Sequence, residues 1–283
     1  MQYKLVFVKI VDIDYFMFAG VGMGGDVGVV LGVLSNMNDG DVLYVDMETH
    51  ECCCTDKGAS LLFGINNAWE FYFEQNKLDS SQPIETRVSR DTGKVNFRYN
   101  DPNVGMDLEM GKPWKKRFYD NFKPKSALKD FVEDYYNKHF KDNVTLGVQI
   151  RLTDQEQYVK QTTKKLGDYI IRVNEILREK PEITQIFLAT DDGMLIPHFM
   201  KSVPVPVIYH ENFYRADEVR RHSGPYDRFI DNPRHMHRYF LSLECLQDLW
   251  TLTKCDYLLK AELSSLSIAA CFLAENIKQV FKL

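Results

Sequence analysis

The stretch TLGVQIRLTD (residues 145–154) decides the fold of this chain, together with QIFLATDDG (residues 185–193). Each stretch is a short apolar run that stops abruptly at charged residues. A run of this kind is typical of a strand in a parallel sheet whose two faces are covered by helices. The two stretches therefore predict a doubly wound α/β domain in this part of the chain.

Polar residues at the ends of these two strands are candidates for a ligand site. In open α/β sheets the ligand lies beyond the carboxyl ends of the strands. Arg151 and Asp154 follow the first strand, and Asp191 and Asp192 follow the second. An arginine at such a strand end, next to the start of a helix, is suited to binding a phosphate. A surface salt bridge is the alternative interpretation of Arg151.

Further strands and helices alternate along the chain and divide it into two halves. The predicted strands cover residues 4–10, 41–46, 144–150, 186–190, 205–209 and 257–260. The predicted helices cover residues 29–37, 125–140, 168–178, 240–253 and 266–281. This alternation predicts two Rossmann-like domains, one over residues 1–140 and one over residues 141–283.

Two long segments interrupt this alternation. Residues 48–113 are rich in turn-forming and aromatic residues, and we expect loop structure there on the acceptor side of the protein. Residues 215–237 are crowded with charge. They predict either a loop at the ligand cleft or an ordinary solvated surface loop.

A glycine cluster, GVGMGGDVG (residues 20–28), lies between the first predicted strand and the first predicted helix. A strand, a glycine turn and a helix in this order allow the backbone to approach a ligand closely. Gly22 and Gly24 are therefore candidate ligand contacts. The spacing does not match the GxGxxG pattern of dinucleotide sites, and an ordinary tight turn is the alternative.

Length and charge exclude several classes of protein. A chain of 283 residues, of which 45% are hydrophobic, can build two domains with real cores. The net charge of −5 argues against a general surface for nucleic acid or anionic membranes. No apolar run reaches the ~18 residues of a membrane span. Asp12 and Asp14 interrupt the apolar start, which favours a first strand over a signal peptide, so we expect a cytoplasmic protein.

The six cysteines do not predict a metal site. Cys52, Cys53 and Cys54 are adjacent, and adjacent side chains do not converge easily on one tetrahedral metal ion. The CxxC spacing of zinc sites is absent from the sequence. Reduced thiols in an intracellular protein are the plain interpretation.

Five blocks of sequence resemble those of one enzyme superfamily, in the same order. LGVQIRLTD resembles the HxRR-type motif of fucosyltransferases with the GT-B fold, which include α1,6-fucosyltransferases, rhizobial nodulation fucosyltransferases and protein O-fucosyltransferases. IFLATDD resembles their VYLATDD strand. DLWTLTKCDYLLKAELSSLS (residues 248–267) resembles their last motif, in which an aspartate opens a helix and a CDYLV strand leads to paired serines. MFAGVGMGGDVGVVLG (residues 17–32) resembles their glycine loop, and NNAWEFYFEQ (residues 66–75) resembles the WEYYFEP segment of related bacterial proteins.

This resemblance implies a GT-B-like fold, with two facing Rossmann-like domains and a ligand cleft between them. It implies an inverting glycosyltransferase that moves a sugar from a nucleotide-diphosphate donor, GDP-fucose first, to a hydroxyl group of a glycan or glycoconjugate. By the matching positions, Arg151 contacts the β-phosphate, Asp248 the guanine or ribose, and the loop of Ser264 and Ser265 the phosphate. A simple helix cap is the alternative for Asp248.

The resemblance also implies catalysis without a metal ion or another cofactor. An arginine and helix amides can stabilise the charge that builds on a leaving diphosphate, which makes Arg151 a catalytic candidate. Asp191 and Asp192 resemble a structural or nucleotide-side pair in these enzymes, although a pair of this kind could also bind a metal. Inversion requires that the acceptor hydroxyl lose a proton, and Asp154 and Glu156 are the nearest candidate bases.

Two residues depart from the superfamily pattern. Gln149 replaces the histidine of the HxRR motif, and Leu152 replaces its second arginine. Residues 149 and 151 of a strand share one face, so Gln149 is expected to meet the nucleotide beside Arg151. The departures leave two alternatives open. One is another donor, such as UDP-xylose, and the other is a GT-B-like binding protein that has lost catalysis.

Overall fold

The computed structural model describes residues 5–9, 22–48, 54–77, 84–88, 103–152, 165–215, 234–261 and 264–283. Three groups of expectations fall outside these ranges. They concern Asp154 and Glu156, the two cysteines Cys52 and Cys53, and most of the charged segment 215–237.

A three-stranded parallel sheet organises the first half of the chain. The elements of this half are β1 (Leu5–Lys9), α1 (Met23–Ser35), β2 (Val42–Asp46), α2 (Lys57–Phe63), β3 (Phe73–Gln75), β4 (Ile84–Val88), α3 (Leu108–Asn121), β5 (Phe122–Pro124) and α4 (Ser126–His139). The strand order is β2-β1-β4, with β1 parallel to both neighbours. The short strands β3 and β5 form a separate antiparallel pair.

A five-stranded parallel sheet organises the second half. Its elements are β6 (Thr145–Ile150), α5 (Leu166–Glu179), β7 (Gln185–Thr190), α6 (Ile196–Ser202), β8 (Val207–Ile208), α7 (His237–Thr253), β9 (Tyr257–Lys260), α8 (Ser265–Phe272) and β10 (Gln279–Lys282). The strand order β10-β9-β6-β7-β8 is the doubly wound Rossmann order. The order reverses between β6 and β9, and a ligand is expected at the carboxyl ends of these two strands.

The strands β6 and β7 are buried along their whole length, as the apolar runs predict. Their side chains alternate between two cores. Val148 and Leu188 belong to the core beneath α5 and α6, which we call the second core. Phe187 and Ala189 belong to the core on the opposite face of the sheet. Both faces are therefore covered, and the strand ends are the accessible edge of this sheet.

The expected closing helix over residues 266–281 is wrong beyond residue 272. The helix α8 ends at Phe272, and the last strand, β10, pairs in parallel with β9. The amides of Glu275 and Asn276 both donate to the carbonyl of Thr253, at distances of 3.0 and 3.1 Å. These bonds hold the turn that follows α8 against the end of α7.

The segment 48–113, expected to form loops, contains regular structure. Besides α2, β3 and β4 it contains the start of α3, where the Asp107 carboxylate accepts a hydrogen bond from the Glu109 amide at 3.0 Å. The WEYYFEP-like block forms a 3₁₀ helix (Ala68–Phe71) followed by β3. Its Trp69 is fully buried, with ring centroids 4.5 Å from Phe73 and 5.1 Å from Phe122. In this structure the block therefore builds the core.

In the sequence, the strands of the first sheet precede the predicted domain boundary at residue 140, and those of the second sheet follow it. In the structure, however, helices of the two halves share a core. The first core combines residues of α1, α3 and β2 with residues of α7 and α8. The division into domains at residues 1–140 and 141–283 stays a prediction. Among the described helices, none combines the length and hydrophobicity needed to cross a membrane.

The packing of β6 gives a test of the fold. A Cβ atom at Gly147 would lie 2.9 Å from Cys255 Sγ, 3.0 Å from Leu252 Cδ2 and 3.2 Å from Leu258 Cδ1. We expect Gly147→Ala to overpack the sheet and α7 and to lower the free energy of unfolding by about 1–3 kcal/mol. In the control Gly167→Ala, the new Cβ meets nothing within 4 Å, and helix propensity predicts a gain of up to about 1 kcal/mol. Urea unfolding measures both changes, and equal stability of the two variants would contradict this packing.

Candidate functional site

A cavity opens at the carboxyl ends of β6 and β7. The start of α1, the middle of α7 and the start of α8 complete its wall. Both halves of the chain therefore line one cavity, close to the point where the strand order of the second sheet reverses.

Most of the predicted site residues meet in this cavity, although they come from five separate elements. The predicted residues that line it are Gly22, Gly24, Gln149, Arg151, Asp191, Asp248, Ser264 and Ser265.

Asp192 is the exception among the described candidates. Its side chain is fully buried, and its Oδ1 accepts a hydrogen bond from the Met194 amide at 2.9 Å. This bond caps the 3₁₀ helix Gly193–Leu195. Asp192 does not line the cavity, and its observed role is to cap this short helix, so a contact with substrate stays a prediction. Asp154 and Glu156, the candidate bases, lie outside the described residues.

The end of β6 presents Gln149 and Arg151 to the cavity. Gln149 is only 5% exposed and is paired in register with Ala189, another lining residue. Leu152 points the other way and packs against the second core. The alternation of side chains along β6 thus separates residues 149 and 151 from residue 152 as expected.

The amino termini of two helices converge on the cavity. Gly22 is the N-cap of α1 and Ser264 is the N-cap of α8, and neither helix has a side-chain capping bond. The first amides of a helix carry partial positive charge and lack partners within the helix, so they favour anions. The sequence predicted α8 correctly at this end, but placed the start of α1 six residues too late, near residue 29.

Gly24 allows α1 to pack closely against α7. A Cβ atom at this position would lie 3.1 Å from Cys245 Sγ and 3.6 Å from Leu266 Cβ. The residue lies inside α1 and not in a turn. Gly24 therefore serves helix packing.

The helix α7 presents a polar face to the cavity, including Ser242, Glu244 and Asp248. Asp248 lies in the second half of this helix, which corrects the expectation that it opens a helix or caps one. Burial raises the pKa of its carboxyl group to about 7, an effect that Arg215 reduces and Glu244 increases. Its Oδ1 lies 3.8 Å from His210 Nε2. Burial lowers the pKa of His210 to about 3, so this imidazole is neutral near pH 7 and the contact is not an ion pair.

Arg215 and Glu244 are lining residues that the sequence analysis missed. Arg215 follows β8, and its Nε donates to the carbonyl of Thr190, the last residue of β7, at 3.1 Å. Arg215 is the first residue of the charged segment 215–237, for which a loop at the cleft was one of the two expectations, but the sequence did not single it out. Glu244 forms a bidentate ion pair with Arg234, both distances being 2.7 Å, and also accepts a bond from the Tyr214 amide at 3.2 Å.

Five residues that line the cavity each have a buried polar side-chain atom with no hydrogen-bond partner among the residues that the structure describes. These atoms are Gln149 Oε1, Arg215 Nη2, Ser242 Oγ, Asp248 Oδ1 and Ser264 Oγ. Buried polar atoms without partners are rare in folded proteins and require an explanation. Their concentration around one cavity indicates a site for a polar ligand. Within the described ranges, no three His, Cys, Asp or Glu side chains group together in a way that could hold a metal ion.

Comparison with known proteins identifies the fold. No family model matches the chain, and no curated protein matches its sequence. Solved structures of one fucosyltransferase do match it over its whole length. The crystal structure of fucosyltransferase NodZ from Bradyrhizobium has a TM-score of 0.55 at 11% identity, covering 100% of this chain and 96% of that one. NodZ α1,6-fucosyltransferase co-crystallised with GDP has a TM-score of 0.55 at 13% identity, with the same coverage. A NodZ crystal soaked with GDP-fucose has a TM-score of 0.54 at 12% identity, covering 100% and 95%.

The fold is therefore an α/β fold of the GT-B glycosyltransferase type. In particular, it is the fold of the fucosyltransferase NodZ, which confirms the fold class that the sequence and its resemblance predict.

The raised pKa of Asp248 predicts how stability depends on pH. The ordinary pKa is 3.8 and the folded value is about 7, so the folded chain binds more protons than the unfolded chain between these values. The contribution of this carboxyl group to the free energy of unfolding must therefore fall as the pH rises from 3.8 to about 7. The Asn side chain of Asp248→Asn cannot ionise. We therefore expect this variant to melt near the wild-type temperature at about pH 4 and a few degrees above it at about pH 7. Thermal melts across this pH range measure this, and a difference independent of pH would contradict the raised pKa.

Proposed function

We propose that this protein is an inverting glycosyltransferase that takes its sugar from a nucleotide-diphosphate donor. The observation that carries the proposal is the set of five buried polar atoms that lack partners, all on residues that line one cavity. The same cavity holds two helix amino termini and the side chains of Arg151 and Arg215. The cavity thus offers hydrogen-bond donors to an anion, and both hydrogen-bond donors and acceptors to a polar base or ribose.

The lining residues divide the work of binding and catalysis. Arg151 and the first amides of α1 and α8 stabilise the negative charge that develops on the leaving diphosphate. Ser264, whose hydroxyl group makes no capping bond, donates to a phosphate oxygen. Gln149 and Asp248 offer an amide and a carboxylate to the base or ribose. No metal ion or other cofactor enters this account.

GDP-fucose is the favoured donor. The shared fold with NodZ, which was crystallised with GDP and soaked with GDP-fucose, supports this choice. Gln149 in place of a histidine keeps a second donor, UDP-xylose, as the alternative. The acceptor is a hydroxyl group of a glycan or glycoconjugate, and Asp154 and Glu156 are the proposed candidates for the base that takes its proton. We also propose that the protein works in the cytoplasm, where its free cysteines stay reduced.

A calorimetric panel tests the proposal. The wild-type chain is titrated with GDP, GDP-fucose, UDP and UDP-xylose, with and without EDTA. We expect saturable binding of GDP and GDP-fucose that EDTA does not change, and slow release of fucose from GDP-fucose on long incubation. Binding of UDP and UDP-xylose instead would move the assignment to the alternative donor. Binding without hydrolysis or transfer would identify a protein that has lost catalysis, and binding of none of the four would refute the proposal.

Arg151 gives the sharpest single-residue prediction. We expect Arg151→Ala to abolish transfer and to weaken GDP binding by about ten- to hundredfold, because it removes a hydrogen-bonded charge from the diphosphate. The matched control is Arg178→Ala on α5, where the arginine Nε bonds only to the Asn174 carbonyl of its own helix. Calorimetry and circular dichroism measure affinity and folding for both variants. Near-normal activity of Arg151→Ala would show that the diphosphate assignment is wrong.

A further inference from the structure

The guanidinium group of Arg215 is held rigidly in the wall of the cavity. Its Nε donates to the Thr190 carbonyl at 3.1 Å, and its Nη1 donates to the carbonyls of His210 and Phe213 at 2.6 and 3.3 Å. Its Cζ also lies 5.4 Å from the ring centroid of Tyr209 and 5.7 Å from that of Phe213. Backbone oxygens and aromatic rings therefore fix the plane of this group.

A count of donors shows what these contacts leave unused. Arginine carries five N–H donors, one on Nε and two on each terminal nitrogen. The three backbone bonds use the Nε donor and both donors of Nη1. The two donors of Nη2 remain, and this atom is buried without a hydrogen-bond partner in the described part of the chain. A buried cationic donor of this kind is stabilised only when an acceptor, preferably an anion, meets it.

The sheet brings Arg215 close to Arg151. Arg151 follows Ile150 at the end of β6, and Arg215 is bonded to Thr190 at the end of β7. Ile150 and Thr190 are paired in register across the two parallel strands. The backbone of Arg151 and the guanidinium group of Arg215 therefore lie at neighbouring points of the sheet edge. The neighbouring residue on β6, Leu152, packs into the second core and supplies no charge to the cavity.

We propose that Arg215 is a second diphosphate-binding residue, whose Nη2 group donates to the phosphate oxygens that Arg151 reaches from the other side. This inference rests on the proposed function, because it assigns a partner within the same donor site. A diphosphate suits the position, since the amino termini of α1 and α8 open into the same cavity. The two N–H groups left on Nη2 belong to a charged group, and charge-assisted hydrogen bonds to phosphate are stronger than neutral ones.

A diphosphate-binding role and a merely structural role of Arg215 have different effects on ligand affinity. An arginine that only orders the turn at residues 209–215 would affect all ligands of the cavity alike. An arginine that binds phosphate affects the affinity for GDP and leaves the affinity for guanosine unchanged. The ratio of the affinities for GDP and guanosine therefore distinguishes the two roles.

Competition against a fluorescent GDP derivative measures this ratio, and it measures weak ligands too. We expect Arg215→Gln, which keeps an N–H donor for the backbone, to lower the GDP-to-guanosine ratio at least about tenfold. Arg215→Lys keeps the charge but not the planar group that the backbone carbonyls orient, and we expect a loss of about threefold. The control Arg178→Gln on α5 should leave the ratio at the wild-type value. Thermal melts confirm that each variant is folded.

The outcomes separate this inference from the proposed function. An unchanged ratio in a folded Arg215→Gln variant overturns the role of Arg215, while GDP binding by the wild-type chain upholds the donor site. If Arg215→Gln does not fold, an unchanged ratio in Arg215→Lys overturns the inference instead. Failure of the wild-type chain to bind either GDP or UDP overturns the donor site itself, and the inference with it.

Discussion

The close packing of α1 against α7 and α8 is the constraint on which the cavity depends. Gly24 makes this approach possible, because a side chain there would meet Cys245 and Leu266. The helix α7 is buried on nearly all sides, and it contacts α1, α4, α8 and the end of β7. It therefore joins the two sheets through one shared core. The amino termini of α1 and α8 meet the strand ends of the second sheet only because these helices are in contact.

The same helix that joins the halves also carries a strongly perturbed group of the site. Asp248 faces the cavity from α7, and its raised pKa shows that the surroundings oppose its charge. His210 is shifted in the opposite sense for the same reason, since burial opposes an imidazolium as well. Buried groups of this kind reduce stability, and they concentrate at functional sites. The buried groups of the cavity thus lower the stability of the fold, and a polar ligand can offset this loss.

The sequence predicted the parts of the fold that short-range patterns control. The sequence alone was sufficient to predict β6, β7 and β9 from their apolar runs and to single out the polar residues that follow these runs. The start of α1 was misplaced because glycines have low helix propensity, and packing against α7 and α8 overrides it. The strand β10 was missed because its pairing with β9 depends on contacts distant in sequence. Asp248 was identified as a site residue, but its place within α7 was wrong. Arg215 was missed because only the folded chain shows which backbone oxygens hold its guanidinium group.

Hydrogen exchange with and without GDP tests the central claim most directly, namely that both halves of the chain bind one nucleotide in a single cavity. Our account predicts that GDP slows exchange in five separate segments: the start of α1, the end of β6, the end of β7, the middle of α7 and the start of α8. The backs of the two sheets, including α5, should exchange at unchanged rates. Protection confined to one half, or protection that spares the starts of α1 and α8, would contradict the account.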